Sequence, residues 1–480
     1  MSAGADAAAR VEWCEMILSS RTSRVLLCGA VAVGVILAPA VATAREPSGA
    51  GRRAGEVATP DVRGPIPGTV PGDPKAADVR DTYPWMSTNV DLAAAGYVEQ
   101  EFYVSGKADA YGTAGEQVGS DVSYQTRVIV RRPEHPAKFN GTILAEWQNV
   151  TAGHDLDALW SHQQIMREGY AWVGVSAQRV GVDQLRGWSP ARYGDLDVTG
   201  GGRFMADELS YDVYAQVAKA LRAPGEVRPL GPLTAKAILA VGASQSAGRM
   251  TIYYDNVLPK TEAVFDGFAN IVGGAPSRKG AEPVFQVLSE TDVRSPVRRP
   301  DDDRFVRWEV AGAAHSGWNG QEYRRPILER DLGAAPSFDC DQPPWSRVPL
   351  HHAIAAAYAH LTRWIRSGVR PPAAPPLELN PDGTKPRDEL GLAQGGIRLS
   401  QVEVPTALNT GDNSGESFCR LFGAHIPFDK SRLDRLYPSH GGYVAAVAKT
   451  DRGNVRAGYL LPGDALRNLL DAAASDIGKP

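Results

Sequence analysis

Short apolar runs recur along the chain, and each ends in small or polar residues. Residues 97–105 are rich in aromatics and valine, and residues 124–130 alternate apolar with polar positions, so both predict strands. Asn140-Gly141 turns the chain into residues 142–147, which are apolar on both sides of the pleat until Glu146, as in a central parallel strand. Residues 171–176, 237–241, 263–268, 284–288 and 305–310 predict further strands. Between them the period changes. Residues 157–168 carry helical spacing through Leu159, His162 or Gln163, and Met166. Leu209, Val213, Val217 and Leu221 recur every fourth residue, and Leu350, Ile354, Ala357, Leu361 and Ile365 mark a later helix. Alternating strands and helices predict an α/β fold, a mostly parallel central sheet flanked by helices. The polar stretch 181–204, with its Gly200-Gly201-Gly202 run, predicts a long connection bordering a substrate cleft.

One of these strands leads into chemistry. The run Ala237-Ile238-Leu239-Ala240-Val241 ends in Gly242-Ala243-Ser244-Gln245-Ser246-Ala247-Gly248 and continues as a helix. A strand-to-helix turn of this kind lifts a serine hydroxyl above the sheet, and it demands small residues two before and two after the nucleophile. Gly242 and Ser246 meet that demand around Ser244. A second frame, with Ser246 between Ser244 and Gly248, also fits, but there the serine already lies inside the helix. Ser244 is therefore the preferred nucleophile. The first free N–H of the helix, at Gln245, faces an incoming oxyanion. Asn149 or Val150, in the loop after residues 142–147, is placed to donate the second N–H of an oxyanion hole.

Two later strands end in the groups such a serine needs. Residues 284–288 lead into Ser289-Glu290-Thr291-Asp292, and residues 305–310 lead into the small-residue loop that holds His315. A neutral imidazole can take the serine proton during attack, and a carboxylate holds its tautomer. Asp292 is the preferred carboxylate and Glu290 the reserve. The order Ser, acid, His is that of the α/β-hydrolases. His351, His352 and His360 fall on the helix around residues 350–365 and His440 in a loop, positions without a comparable setting. Trp147, Trp160, Trp188 and Trp318 suit either an apolar acyl pocket or plain core.

Composition narrows the partners. Of 480 residues, 43% are hydrophobic and 22% charged, enough for a full core, and the net charge of −4 excludes nucleic acid or an anionic membrane as the main partner. The basic pairs Arg131-Arg132 and Arg298-Arg299 read as solvated strand and loop ends. Arg21 and Arg24 precede an apolar run and then Ala42-Thr43-Ala44, the pattern of a signal peptide over residues 1–44. Cleavage there leaves no membrane anchor and predicts a secreted or cell-envelope protein. Translation starts at Met1 or Met16. Residues 45–82, rich in Pro, Gly and Ala, predict a flexible linker, followed by a core over 83–370 and a carboxyl-terminal appendage over 371–480. Cys340 and Cys419 remain in the exported chain as an even pair, which permits one disulfide. No Cys-x-x-Cys or His-x-x-x-His pattern offers a zinc site, so no metal is expected.

Several blocks together resemble the alpha/beta hydrolase domain-containing proteins. They include Asp91-Leu92-Ala93-Ala94-Ala95-Gly96-Tyr97-Val98, Glu146-Trp147-Gln148-Asn149-Val150, the segment from Glu168 through Gln178, Ser244-Gln245-Ser246-Ala247-Gly248-Arg249, and Ser289-Glu290-Thr291-Asp292. Leu421-Phe422-Gly423 and Leu460-Leu461-Pro462 extend the likeness into the appendage. Ala243 stands where that family's pattern has an acidic residue. The resemblance implies an α/β-hydrolase fold with the serine constellation and leaves the substrate undefined. Residues and resemblance together predict an exported serine hydrolase of small-molecule carboxylic esters, working without cofactor. An acyltransferase with the same three residues and a non-catalytic binding scaffold are the alternatives.

Overall fold

A computed structural model describes residues 55–68 and 79–479, so the predicted signal peptide lies outside the described residues. Within them, nine strands form one sheet: β1 (Asp61–Arg63), β2 (Tyr97–Tyr111), β3 (Gln117–Pro133), β4 (Thr142–Trp147), β5 (Ala171–Val175), β6 (Ala237–Ala243), β7 (Gly267–Ile271), β8 (Val284–Ser289) and β9 (Phe305–Val310). Their spatial order is β1-β2-β3-β5-β4-β6-β7-β8-β9. The run from β5 to β9 is parallel, while β1, β2 and β3 add an antiparallel edge.

Both faces of the parallel strands are covered, so each strand is apolar on both sides of its pleat. Along β6, Ile238 and Ala240 enter one core and Leu239 and Val241 the other. Helices α1 (His162–Arg167), α2 (Arg179–Trp188), α3 (Pro190–Tyr193), α4 (Ser210–Arg222), α5 (Gln245–Ile252), α6 (Trp318–Leu332) and α7 (Leu350–Ser367) surround the sheet. Val213, Val217 and Leu221 of α4 and Met250 of α5 fill the first core, and Ile354, Ala357 and Leu361 of α7 fill the second. Truncating a buried leucine such as Leu361 to alanine leaves a cavity worth about 2–5 kcal/mol.

The structure corrects five of the expectations. The linker predicted over 45–82 contains β1, in which Asp61 pairs with Ser105 and Arg63 with Tyr103. Val57 and Ile66 anchor it, too few apolar residues to show a period. The stretch 181–204 is no open connection: α2 and α3 occupy much of it, and Trp188 packs edge-on against Trp85 at 5.3 Å. The strand predicted at 263–268 begins later, at Gly267, because Phe265 belongs to the helix-side core instead. Arg131 is fully buried, its guanidinium bonded to Glu99 at 2.7 Å and Asp157 at 2.6 Å, so this basic residue is no solvated strand end. His440 opens a helix, His440–Ala457, with the Ser439 hydroxyl accepting from Gly442 N–H.

Residues 371–479 pack on the core. Leu377, Leu392, Ile397 and Val402 join the second core, and Asp464 accepts from Arg167 at 2.7 and 2.9 Å and from Gln164 at 3.0 Å. Ile397 meets Val310 in a single parallel bridge.

Candidate active site

The site begins where β6 gives way to α5. Ser244 takes φ 57° and ψ −116°, a backbone conformation that a β-carbon resists and that surrounding structure must enforce. Its N–H donates to the Ile271 carbonyl at 2.9 Å, which ties the turn to β7. Gly242 allows the helix to come this close, since a β-carbon there would stand 2.6 Å from Met250 Sδ and 3.1 Å from the Ser246 carbonyl carbon. The second frame fails on geometry. Ser246 is buried, its Oγ accepting from Ala243 N–H at 3.0 Å and donating to Ala243 O at 2.9 Å, so it staples the turn from within.

Asp292 and His315 meet. His315 Nδ1 lies 2.7 Å from Asp292 Oδ1, and both side chains are partly open to solvent. Asp292 is held in turn by Ser289, whose Oγ donates to Asp292 Oδ2 at 2.5 Å, within a one-turn helix over Glu290–Asp292. The His315 loop is fixed by its own N–H donating to Thr291 Oγ1 at 3.1 Å, while that hydroxyl donates to Gly411 O at 2.6 Å. Glu290, the reserve, is excluded from this role. Its carboxylate is fully buried and accepts from Gly312 N–H at 2.6 Å, Arg387 at 2.7 Å, Thr410 at 2.9 Å and Gly411 N–H at 3.0 Å. His315 pairs with Asp292 instead.

Ser244, His315 and Asn149 line one cavity of about 800 Å³. The Asn149 amide donates to the Ala243 carbonyl at 2.9 Å and so clamps its loop to the elbow strand. Val150 and Gln245 do not line the cavity; the Gln245 side chain donates to Gln178 at 3.1 Å, while its backbone opens α5. Of the four tryptophans singled out, Trp160 and Trp318 line the cavity, whereas Trp147 packs at a tilt against Tyr214 in the core and Trp188 packs on Trp85. The predicted border 181–204 contributes no lining residue. His351 and His352, set aside at the level of sequence, do line it.

Sequence reasoning missed the wall opposite the elbow. Helix α6 supplies Trp318, Tyr323 and Arg324, but its polar residues face the cavity, so it carries no apolar stripe to read. Trp345 and Phe422 follow, with ring centroids 5.7 Å apart, beside the Cys340–Cys419 disulfide, whose Cα atoms are 5.4 Å apart. Burial and nearby charge set two acid–base states around this cavity. Burial pushes the Glu146 carboxyl up to about 8, with Asp157 adding to the effect. Burial and then Arg324 bring His154 down to about 4, so its imidazole is neutral. Among the described residues, no group of three His, Cys, Asp or Glu side chains is placed to hold a metal ion.

A parallel sheet with a strained serine between β6 and α5, an acid after β8 and a histidine after β9 defines an α/β-hydrolase fold. The chain belongs to the alpha/beta hydrolase domain family, whose sequence profile matches residues 62–469. No curated protein matches it in sequence. Among solved structures it is similar to the esterase Est22, at 11% identity and a TM-score of 0.26, over 42% of this chain and 67% of that one. It is also similar to acetyl xylan esterase 1 from Thermoanaerobacterium sp. JW/SL YS485, at 12% identity and 0.23, over 39% of this chain and only 50% of that one. A glucuronoyl esterase from Solibacter usitatus matches at 10% identity and 0.25, over 58% and 81% of the two chains.

Proposed function

We propose that this protein is a serine hydrolase that cleaves carboxylic esters through an acyl-enzyme. The observation that carries the reading is the 2.7 Å contact between His315 and Asp292 on the same cavity as a strained Ser244. In the proposed reaction His315 Nε2 takes the Ser244 proton as Oγ attacks the ester carbonyl. Asp292, on Nδ1, fixes the tautomer and stabilises the imidazolium. The tetrahedral oxyanion takes hydrogen bonds from the Gln245 N–H and from the N–H of Asn149 or Val150. Collapse expels the alcohol, which leaves with the proton from His315. Water, deprotonated by His315, then attacks the acyl-enzyme and releases the acid.

Labelling with a fluorophosphonate tests the nucleophile. Wild type should label, Ser244→Ala should not, and Ser246→Ala should label wherever it folds. A folded wild type that stays unlabelled sinks the reading. Export belongs to the same proposal. The Cys340–Cys419 pair supports it, because structural disulfides persist in oxidising compartments.

A further inference from the structure

Several donors that line the cavity have no acceptor. Arg324, on α6, is half-buried, and among the described residues its guanidinium makes neither an ion pair nor a side-chain hydrogen bond, although desolvation already pulls its pKa below the ordinary arginine value. Arg325, Arg347 and Arg467 also line the cavity, are exposed, and form no ion pair among the described residues. Arg347 lies over the Trp318 ring at 4.9 Å. The buried lining adds Trp160 Nε1 and Trp345 Nε1, neither with a hydrogen-bond partner. An indole N–H can only donate.

The carboxylates that line the cavity do not answer Arg324. Asp157 Oδ2 accepts from Arg131 at 2.6 Å and from the Tyr323 hydroxyl at 2.9 Å, and although its Oδ1 is unpartnered, Arg324 makes no ion pair with it. Glu322 and Asp471 are exposed. A buried donor without a partner costs about 1–3 kcal/mol, and a charged one more, so a ligand that supplies the acceptor recovers that cost.

We infer that the substrate is an ester carrying a second, ionised acid group, and that Arg324 binds this group while the ester carbonyl lies at Ser244. The place of the ester carbonyl rests on the ester-hydrolase reading, and the anion contact on the cavity's donors alone. A planar guanidinium matches a carboxylate with two parallel N–H bonds, and the apolar rings of Trp160 and Trp318 pack the chain between the two acid groups. Hydrolysis then converts a half-ester into a diacid and an alcohol. Ser244 forms and loses the acyl bond as described, and the distal carboxylate takes no part in bond changes.

The test pairs two substrates of equal length, mono-4-nitrophenyl glutarate and its methyl ester, in which the distal charge is removed. Wild type is expected to favour the charged half-ester in kcat/KM by about tenfold or more, Arg324→Gln to bring the ratio near unity, and Arg324→Lys to retain part of it. Calorimetric titration with glutarate, and with inorganic phosphate as a second oxyanion, reads the anion site without turnover. Glutarate binding by wild type that is lost in folded Arg324→Gln supports the assignment. A wild-type ratio near one, or glutarate binding that is absent or equal in the two proteins, overturns it. Loss of fluorophosphonate labelling with glutarate binding intact overturns the ester-hydrolase reading instead, and confines Arg324 to anion binding.

Discussion

Among the described residues, His315 and Asp292 are the histidine–carboxylate pair at hydrogen-bond distance, 2.7 Å against 3.7 Å for His352 and Asp464. Replacing Asp292 with Asn keeps the shape but presents the wrong tautomer to the serine, so kcat on an activated ester should fall by about 10³–10⁴-fold with little change in stability. Glu290, two residues earlier, should behave in the opposite way. Its four partners make Glu290→Gln a loss of urea stability, of about 3–5 kcal/mol, with folded protein still labelling at Ser244. Glu146 titrates through folding. Its folded pKa of about 8 lies above the ordinary value, so the stability it contributes is full below about 4.5 and is lost as pH rises through 8. Melting temperatures of wild type and Glu146→Gln should therefore diverge between pH 5 and 8, with wild type falling. These distinctions were only half legible in sequence. Asp292 and Glu290 both follow a strand and differ by two positions, and only the partners of Glu290, three of them (Arg387, Thr410 and Gly411) more than 90 positions away, separate them. Ser244 and Ser246 likewise share one motif until the inward bonds of Ser246 are seen.

At the scale of elements, the parallel strands were the clearest part of the sequence because burial on both faces makes each of them a continuous apolar run. Residues 142–147 and 305–310 match β4 and β9 at both ends. The helices that build the cavity were hidden for the converse reason. Helix α6 turns Arg324 and Trp318 toward the cavity rather than toward a core, so no apolar period marks it. The join of β6 and α5 is the element-level feature most open to test. A β-carbon at Gly242 would press on Met250 and on the backbone of Ser246. Gly242→Ala should cost about 1–3 kcal/mol in urea unfolding and slow fluorophosphonate labelling, because relief requires α5 to withdraw from the turn that presents Ser244. Labelling at the wild-type rate would mean that Met250 alone moves.

Across the whole molecule, the segment predicted as an appendage is a working part of the site. Its Cys419 is bonded to Cys340, closing a span of 79 positions, and the paired rings of Trp345 and Phe422 stand beside it on the cavity wall. Cys340→Ser should lower stability by about 2–4 kcal/mol, measured against wild type in denaturant without reductant. The family profile, running on to residue 469, covers most of this segment, yet nothing local in residues 371–480 announces its role, since its contribution comes from scattered single residues. The turn that carries Asp292 is finished by them: Gly411 offers its carbonyl to Thr291 and its N–H to Glu290, and Arg387 closes the same carboxylate. A ribosome that has made Ser244, Asp292 and His315 has therefore made the parts without the assembly. The acid turn waits for chain about 120 positions further on, so the three residues can come into register only after Gly411 has been added.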